Sequence, residues 1–128
     1  MGALDRWWAE RAQAIPADAR GLWFGIVELA LPDDPVRGEF VLYVAACPTF
    51  DPDDEHVDWA ADEYVYFPAS RSEYLALTEL GVEVSRDWSA DLERVTAAVR
   101  DLHPETSVDV EGIAVGYDDG DHDLIWRR

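Results

Sequence analysis

The chain has 128 residues, with 28 acidic side chains against 10 basic ones and a formal net charge of −18. This length suits a single domain, and a hydrophobic content of 48% is enough for a packed core and argues against disorder. The acidic surplus argues against nucleic acid or anionic lipid as a partner, since both are bound through Lys and Arg. There is no Lys, which excludes a Schiff-base mechanism.

Cysteine usage and the N-terminal segment favour a cytoplasmic protein. Cys47 is the one cysteine, so no internal disulfide can form, which suits a reducing compartment. The first twenty residues alternate in charge and lack the continuous apolar region of a signal peptide. The apolar run around Leu29–Leu31 is too short to span a bilayer. We therefore expect no membrane partner.

The first elements in chain order are a helix and a hairpin. Apolar residues at helical spacing predict an amphipathic helix over 3–15, which Pro16 ends. Two apolar, β-rich runs follow, and the turn-rich sequence PDDPVRG separates them. We expect an antiparallel hairpin of two inner strands, each buried on both faces, at Leu22–Leu31 and Phe40–Cys47.

The middle of the chain is harder to assign. Alternating aromatic residues predict a third strand at Glu63–Phe67, which Pro68 ends. Ser70 and Glu73 have the spacing of a capping box, and Gly81 can terminate a helix, so we predict a helix over 71–80. The alternative is a strand at Tyr74–Leu80, and a further short strand is predicted at Val82–Val84.

The last third of the chain is more regular. A single apolar stripe (Trp88, Leu92, Val95, Val99 and Leu102) predicts a helix with Asp87 or Ser89 as its cap. A terminal hairpin is predicted from Val108–Tyr117 and His122–Arg127, with a bulge or strand break at Gly112, where the alternation of apolar residues slips. Residues 1–128 thus form one α+β domain, with a mostly antiparallel sheet of about five strands and two or three helices packed on one face.

Two segments carry most of the charge. Residues 51–63 hold seven acids and residues 101–123 hold eight, neither segment contains Arg, and together they supply −15 of the net charge of −18. A folded domain that concentrates like charge in this way accepts self-repulsion. The pattern favours recognition of something basic, either a protein or a cation.

The first acidic segment is the main candidate for a binding site. Clustered carboxylates accept charge-assisted hydrogen bonds from Arg and speed encounter with a basic protein. A solvated loop that only aids solubility is an equal alternative, and a metal site ranks below both because the spacing matches no calcium loop. Trp59 is either an interface anchor among these acids or a residue that packs the loop onto the body. The candidate contacts are Asp51, Asp53, Asp54, Glu55, Asp58 and Trp59.

The second segment supplies further candidates around Gly120. Asp118, Asp119 and Asp121 superficially resemble a calcium loop, but the glycine is misplaced and no Glu follows at the required distance. Asp-Gly between two apolar strands predicts a hairpin turn instead. Such a turn can still add negative charge to a binding face.

Three further side chains are candidates for a chemical role. Cys47 is expected to be a buried packing residue, because no helix N-terminus or glycine-rich elbow is present to lower its pKa. Glu28 interrupts an apolar strand and is expected either to pair with an Arg or to face a cleft, and Glu39 lies beside the same hairpin. We expect no catalytic residue, no metal ligand and no cofactor.

Three stretches, GIVELAL, DPDDEHVDWAADEYVYF and IAVGYDDGD, give the chain a general resemblance to small acidic bacterial immunity proteins of polymorphic toxin systems. This resemblance implies neutralisation of a cognate toxin by tight binding, without chemistry of its own. The charge points the same way, because toxins that act on nucleic acid are basic around their active sites. The alternatives are a DNA mimic with carboxylates spaced like phosphates, and a small enzyme or metal-binding protein that uses the acids.

Overall fold

The computed structural model describes residues 2–31, 34–82, 84–85, 87–118 and 120–128. Their strands form one five-stranded sheet in the order β3-β2-β1-β4-β5. All neighbouring strands are antiparallel except β1 and β4, which run parallel. The strands are β1 (Gly21–Leu31), β2 (Asp34–Cys47), β3 (Leu75–Ala76), β4 (Gly112–Tyr117) and β5 (His122–Arg127).

The described residues form three α-helices and three short 3₁₀ segments. The helices are α1 (Ala3–Ala14), α2 (Trp59–Asp62) and α3 (Trp88–Leu102). Asp87 caps α3, since its carboxylate accepts a hydrogen bond from the Ala90 amide at 3.1 Å. The predicted α+β class is confirmed, as are the first hairpin and the last helix. The terminal hairpin also forms, but its first strand begins at Gly112 instead of Val108, and its register irregularity lies between Ile113 and Ala114.

The helix face of the sheet, defined as the side that carries α1 and α3, holds the main apolar core. Alternate strand residues such as Phe24 and Val44 point to this side, as the period of a β-strand requires. Phe24 is fully buried and packs against two tryptophan rings of α1, with centroid distances of 6.3 Å to Trp7 and 5.5 Å to Trp8. Buried residues of α3 complete this core, namely Leu92, Val95 and Val99.

The loop face, defined as the opposite side of the sheet, has a smaller core. Trp23 and Tyr43 of the strands point to this side, where Trp59 and Ala60 of α2 cover them. The predicted burial on both faces is therefore confirmed for residues 22–26 of β1 and 41–47 of β2, whereas Glu28 and Ala30 further along β1 are exposed. The helices do not all share one face, however, because α1 and α3 pack on one side and the short α2 packs on the other.

The strand predicted at Glu63–Phe67 is wrong apart from one bridge between Tyr66 and Ala46. Its aromatic residues pack as individual rings instead of pairing along an edge. The Phe67 ring lies 4.8 Å from that of Tyr64 and 5.4 Å from that of Tyr43. The aromatic enrichment that favoured a strand therefore comes from ring packing in a loop.

The helix predicted over 71–80 is also wrong. The chain forms 3₁₀ segments at Arg71–Glu73 and Leu77–Leu80 with β3 between them, so the alternative strand is correct only at Leu75–Ala76. The capping box at Ser70 does form, but it closes a single 3₁₀ turn. The apolar residues that decide this region, Leu75 and Leu77, are both buried and only two positions apart, which does not match a helix.

Gly81 adopts the left-handed conformation expected of a terminating residue, with φ of 77°. Val82 and Val84 lie outside any strand, so the short strand predicted there does not form at the described positions, and Glu83 lies outside them. Within the described part of the chain, no helix has the length and apolar character needed to cross a membrane.

Candidate functional site

Strand glycines leave room for aromatic rings on the loop face of the sheet. A Cβ atom on Gly21 would lie 2.5 Å from the Trp59 ring, which is closer than any real Cβ contact. The same close approach occurs at three other strand glycines, which meet the aromatic rings of this face (Gly25 under Tyr43, Gly112 under Phe50 and Gly116 under Trp23). The rings therefore approach the strand backbone closely where the glycines lack a side chain, and Trp59 holds the segment before α2 against the sheet.

The acidic loop, defined as residues 51–58, uses some of its own carboxylates to hold its shape. The Asp51 carboxylate accepts from the Asp53 amide at 2.9 Å, and the Asp54 carboxylate accepts from two amides further along the loop. Val57 adopts a left-handed backbone conformation (φ 56°) that is strained for a β-branched residue, and its side chain packs against the loop-face core. These contacts give the acidic loop a defined conformation.

The acidic turn, defined as residues 118–123, meets the acidic loop directly. The His122 Nε2 atom lies 3.1 Å from the backbone oxygen of Glu55, and because a carbonyl only accepts, this nitrogen carries the proton. A cleft of about 240 Å³ is lined by acids from both segments, including Asp54, Glu55 and Asp123. We call the surface formed by the acidic loop and the acidic turn the acidic face.

A hydrogen-bond chain that begins in the loop-face core and ends at the surface fixes the turn to the sheet. The Trp23 indole donates to the Tyr43 hydroxyl at 3.1 Å, and that hydroxyl donates to the Asp118 carboxylate at 2.5 Å. Burial, followed by the Asp118 carboxylate, raises the Tyr43 pKa well above its usual range. Tyr43 is therefore neutral at physiological pH and remains a donor, so Asp118 is held at a fixed position beside the sheet.

The acidic face is not neutralised from within the described part of the chain. No arginine in the described ranges forms an ion pair with Asp53, Glu55, Asp58, Asp121 or Asp123. The ion pairs lie elsewhere, for example between Arg94 and the buried Asp91 at 3.0 Å. Carboxylates without internal cations leave a strong negative potential at this surface.

The second acidic segment of the sequence does not act as a unit. Only its last residues, 118–123, join the acidic loop. Earlier acids lie near the chain end instead, where Glu111 pairs with Arg20 at 3.6 Å and Asp109 pairs with Arg128. The structure therefore brings together a smaller set of charges than the sequence suggested.

The candidate contacts differ in exposure and in what their side chains do. Asp53, Glu55, Asp58, Asp118 and Asp121 are exposed on the acidic face, whereas the Asp51 and Asp54 carboxylates also hold the loop. Asp119 lies outside the described residues. Trp59 is only 5% exposed, so the structure shows the packing role for it and corrects its assignment as a contact.

The structure accounts for the positions of Cys47, Glu39 and Glu28. Cys47 is fully buried in β2, and burial raises its pKa to about 12, so the thiol stays protonated. Glu39 pairs with Arg71. Glu28 lines a groove, which is the cleft alternative. Within the described ranges, no three His, Cys, Asp or Glu side chains converge closely enough to hold a metal ion.

Sequence reasoning missed the residues that join the two acidic segments. Tyr43 and His122 make the decisive hydrogen bonds, yet each read as an ordinary strand residue. Trp88 was assigned to the buried stripe of its helix, but its side chain is 51% exposed. The available signal was the glycines inside β1 and β4, since strand glycines mark close approach of another group.

Comparisons of the chain with protein-family models, with curated proteins and with solved structures found no match. The resemblance to immunity proteins therefore stays a prediction from the sequence.

Proposed function

We propose that this protein is an acidic inhibitor that binds and neutralises a basic protein, and that it acts as an immunity protein against a cognate bacterial toxin such as a nuclease. It needs no catalytic residue, metal or cofactor for this role. The acidic face covers the positively charged surface with which the toxin binds its substrate. We place the complex in the cytoplasm, where such a toxin acts on nucleic acid.

One observation carries the proposal: the acidic loop and the acidic turn meet on one face, through the hydrogen bond between His122 and Glu55, which are 67 positions apart in sequence. A chain that needed acids only for solubility has no reason to join them, because dispersed charge serves that purpose equally well. The anchoring of Trp59 over Gly21, and of Asp118 by Tyr43, keeps both segments in place. Preorganised groups lose less entropy on binding.

The expected energetics are those of electrostatically steered complexes. Complementary potentials raise the association rate by about 10–1,000-fold over that of a neutral pair, and close interfacial charge pairs contribute roughly 1.5–7 kcal/mol. The steering weakens as salt rises, since the Debye length falls from about 10 Å at 0.1 M to about 3 Å at 1 M. Fast capture is what an organism needs to disarm its own toxin, and the electrostatic origin of this capture makes it sensitive to salt.

The test is co-purification of the tagged chain with the product of a neighbouring gene, at low and at high salt. We expect a basic protein to be retained, and its toxicity in cells to be suppressed when the two are expressed together. Retention of a basic DNA-binding protein that is not toxic would instead favour the DNA-mimic alternative. Failure to retain any basic partner at either salt concentration would contradict the proposal.

A matched pair of variants locates the contact. The variant Asp53→Asn/Glu55→Gln/Asp58→Asn removes three charges whose side chains make no hydrogen bond that holds the loop, unlike Asp54. The control Glu10→Gln/Glu79→Gln/Asp101→Asn removes the same charge from exposed positions outside the acidic face. We expect at least tenfold slower association for the first variant and less than twofold slowing for the second. Equal slowing in both variants would show that only net charge matters.

A further inference from the structure

A groove beside the acidic turn combines three aromatic rings, of which that of Trp88 is exposed, with carboxylates. It has a volume of about 480 Å³ and lies where the end of β4 meets the start of α3 and the β1–β2 pair. Its lining includes Phe40, Trp88 and Tyr117 together with Glu28, Asp118 and Asp121. Asp118 and Asp121 also belong to the acidic turn, so the groove continues the acidic face.

The three rings form a continuous wall with defined geometry. Trp88 lies between the other two, with centroid distances of 5.5 Å to Phe40 and 5.6 Å to Tyr117, and it meets the Tyr117 ring edge-on at 90°. The Tyr117 hydroxyl donates to the Trp88 backbone oxygen at 2.9 Å, which ties the strand to the first turn of α3. The wall is therefore fixed before any partner arrives.

The exposure of Trp88 is the feature that packing does not explain. Its side chain is 51% exposed, whereas four other tryptophans (Trp7, Trp8, Trp23 and Trp59) are each less than 8% exposed. An exposed indole beside carboxylates suits a cation, because the ring face attracts positive charge and the carboxylates pair with it. Arginine fits better than lysine, since its planar guanidinium stacks on rings and is more weakly hydrated.

We propose that this groove receives an arginine side chain of the basic partner, with the guanidinium stacked on Trp88 and paired with the carboxylates of Glu28 and Asp121. This inference rests on the proposed function, because it names the anchor of the same partner. The two parts of the surface then have different roles. The acidic loop steers the encounter, and the groove holds the docked arginine. Stacked arginines are among the residues that contribute most to interface affinity.

The test is an NMR titration of the ¹⁵N-labelled full chain with the peptide acetyl-Gly-Arg-Gly-amide. The Trp88 indole N–H signal is assigned by its loss in Trp88→Phe. We expect a saturable shift of this signal with the arginine peptide and severalfold weaker binding of the lysine peptide. The citrulline peptide, which keeps the shape but not the charge, should bind at least tenfold more weakly.

Two variants separate the rings from the carboxylates. Trp88→Ala removes the stacking surface, and Glu28→Gln/Asp121→Asn keeps the rings but removes two charges. Because Trp88→Ala lacks the indole signal, binding to the variants is followed through the backbone amide signal of Tyr117, which lines the same groove. Each variant should weaken peptide binding at least fivefold, and Glu10→Gln should leave it unchanged. Equal binding of the arginine and citrulline peptides, or unchanged binding by both variants, would overturn the groove as an arginine site.

The outcomes also distinguish this inference from the proposed function. If the basic partner is retained but Trp88→Ala leaves its dissociation rate unchanged, the groove assignment is wrong and the inhibitor role stands. If the peptide binds at Trp88 and no basic partner is retained, the groove binds arginine but the inhibitor role is wrong. With both correct, we expect Trp88→Ala to speed dissociation of the partner at least tenfold and to change its association rate less than twofold.

Discussion

The two faces of the sheet are packed by different means. The helix face has a core built from regular elements, in which side chains of α1 and α3 interlock with alternate strand residues around Phe24. Among the residues that the structure describes, no long helix packs on the loop face. That face is covered by a short helix and an irregular loop, whose aromatic rings lie on strand glycines such as Gly21. The larger core lies on the first face, and the acidic loop lies on the second.

This difference suggests that the two faces serve different purposes. A charged loop placed over the main core would weaken it, because like charges repel and buried carboxylates are costly to desolvate. On the loop face, the buried Trp59 ring anchors the acidic loop, while the carboxylates of that loop remain in water. The molecule can thus present a repulsive set of charges on one side of a sheet whose other side carries the larger apolar core.

The largest effect is expected on the helix face. Phe24→Ala removes a fully buried ring that contacts Trp7 and Trp8, and should lower the free energy of unfolding by about 3–5 kcal/mol. Urea denaturation monitored by far-UV circular dichroism measures this. A loss below about 1 kcal/mol would contradict the assignment of the main core to this face.

A smaller effect is expected where the loop is anchored. Gly21→Ala places a methyl group where the Trp59 ring now lies, and should destabilise the fold by about 1–3 kcal/mol through overpacking. The control is Gly120→Ala, whose new Cβ would lie 3.5 Å from its nearest neighbour and should change stability by less than about 0.5 kcal/mol. Hydrogen exchange should show faster opening of residues 51–58 in Gly21→Ala. Identical exchange in the two variants would show that Trp59 does not anchor the loop.

The smallest effect concerns the link between the turn and the sheet. Tyr43→Phe leaves the Trp23 indole without its acceptor and Asp118 without its donor, at a cost of about 1–2 kcal/mol. The raised Tyr43 pKa favours the neutral phenol in the fold, so wild-type stability should fall as the pH rises above about 10, the ordinary tyrosine pKa. The variant should lose less over that range. Parallel pH profiles above pH 10 would show that Tyr43 is not buried as described.

Sequence patterns predicted the long helices and strands well and the irregular segments between them poorly, on both faces of the sheet. The apolar stripe of α3 and the two apolar runs of β1 and β2 follow regular periods, and their positions are confirmed. The regions around Glu63–Phe67 and 71–80 were misassigned because single aromatic rings and isolated leucines pack there without a period. Local pattern carries no information about such long-range packing.

The candidate site was predictable in composition but not in assembly. Charge alone located the acidic loop and the acidic turn, yet their contact depends on the parallel pairing of β1 with β4. That pairing places the start of β4 level with the end of β2, and the acidic loop reaches the turn after β4 across the loop face. No local signal in the sequence reveals this arrangement. The exposure of Trp88 was likewise hidden, because its spacing matches that of the buried stripe.

The most direct test of the account is the salt dependence of the association rate with the basic partner. It should be measured by stopped flow for wild type, for Asp53→Asn/Glu55→Gln/Asp58→Asn, for Asp121→Asn/Asp123→Asn and for the two sets combined. If the loop and the turn form one docking surface, each set slows association and flattens its salt dependence, and the combined variant shows the sum of the two effects on the logarithm of the rate. A combined variant no slower than the control Glu10→Gln/Glu79→Gln/Asp101→Asn would contradict a docking role for the acidic face.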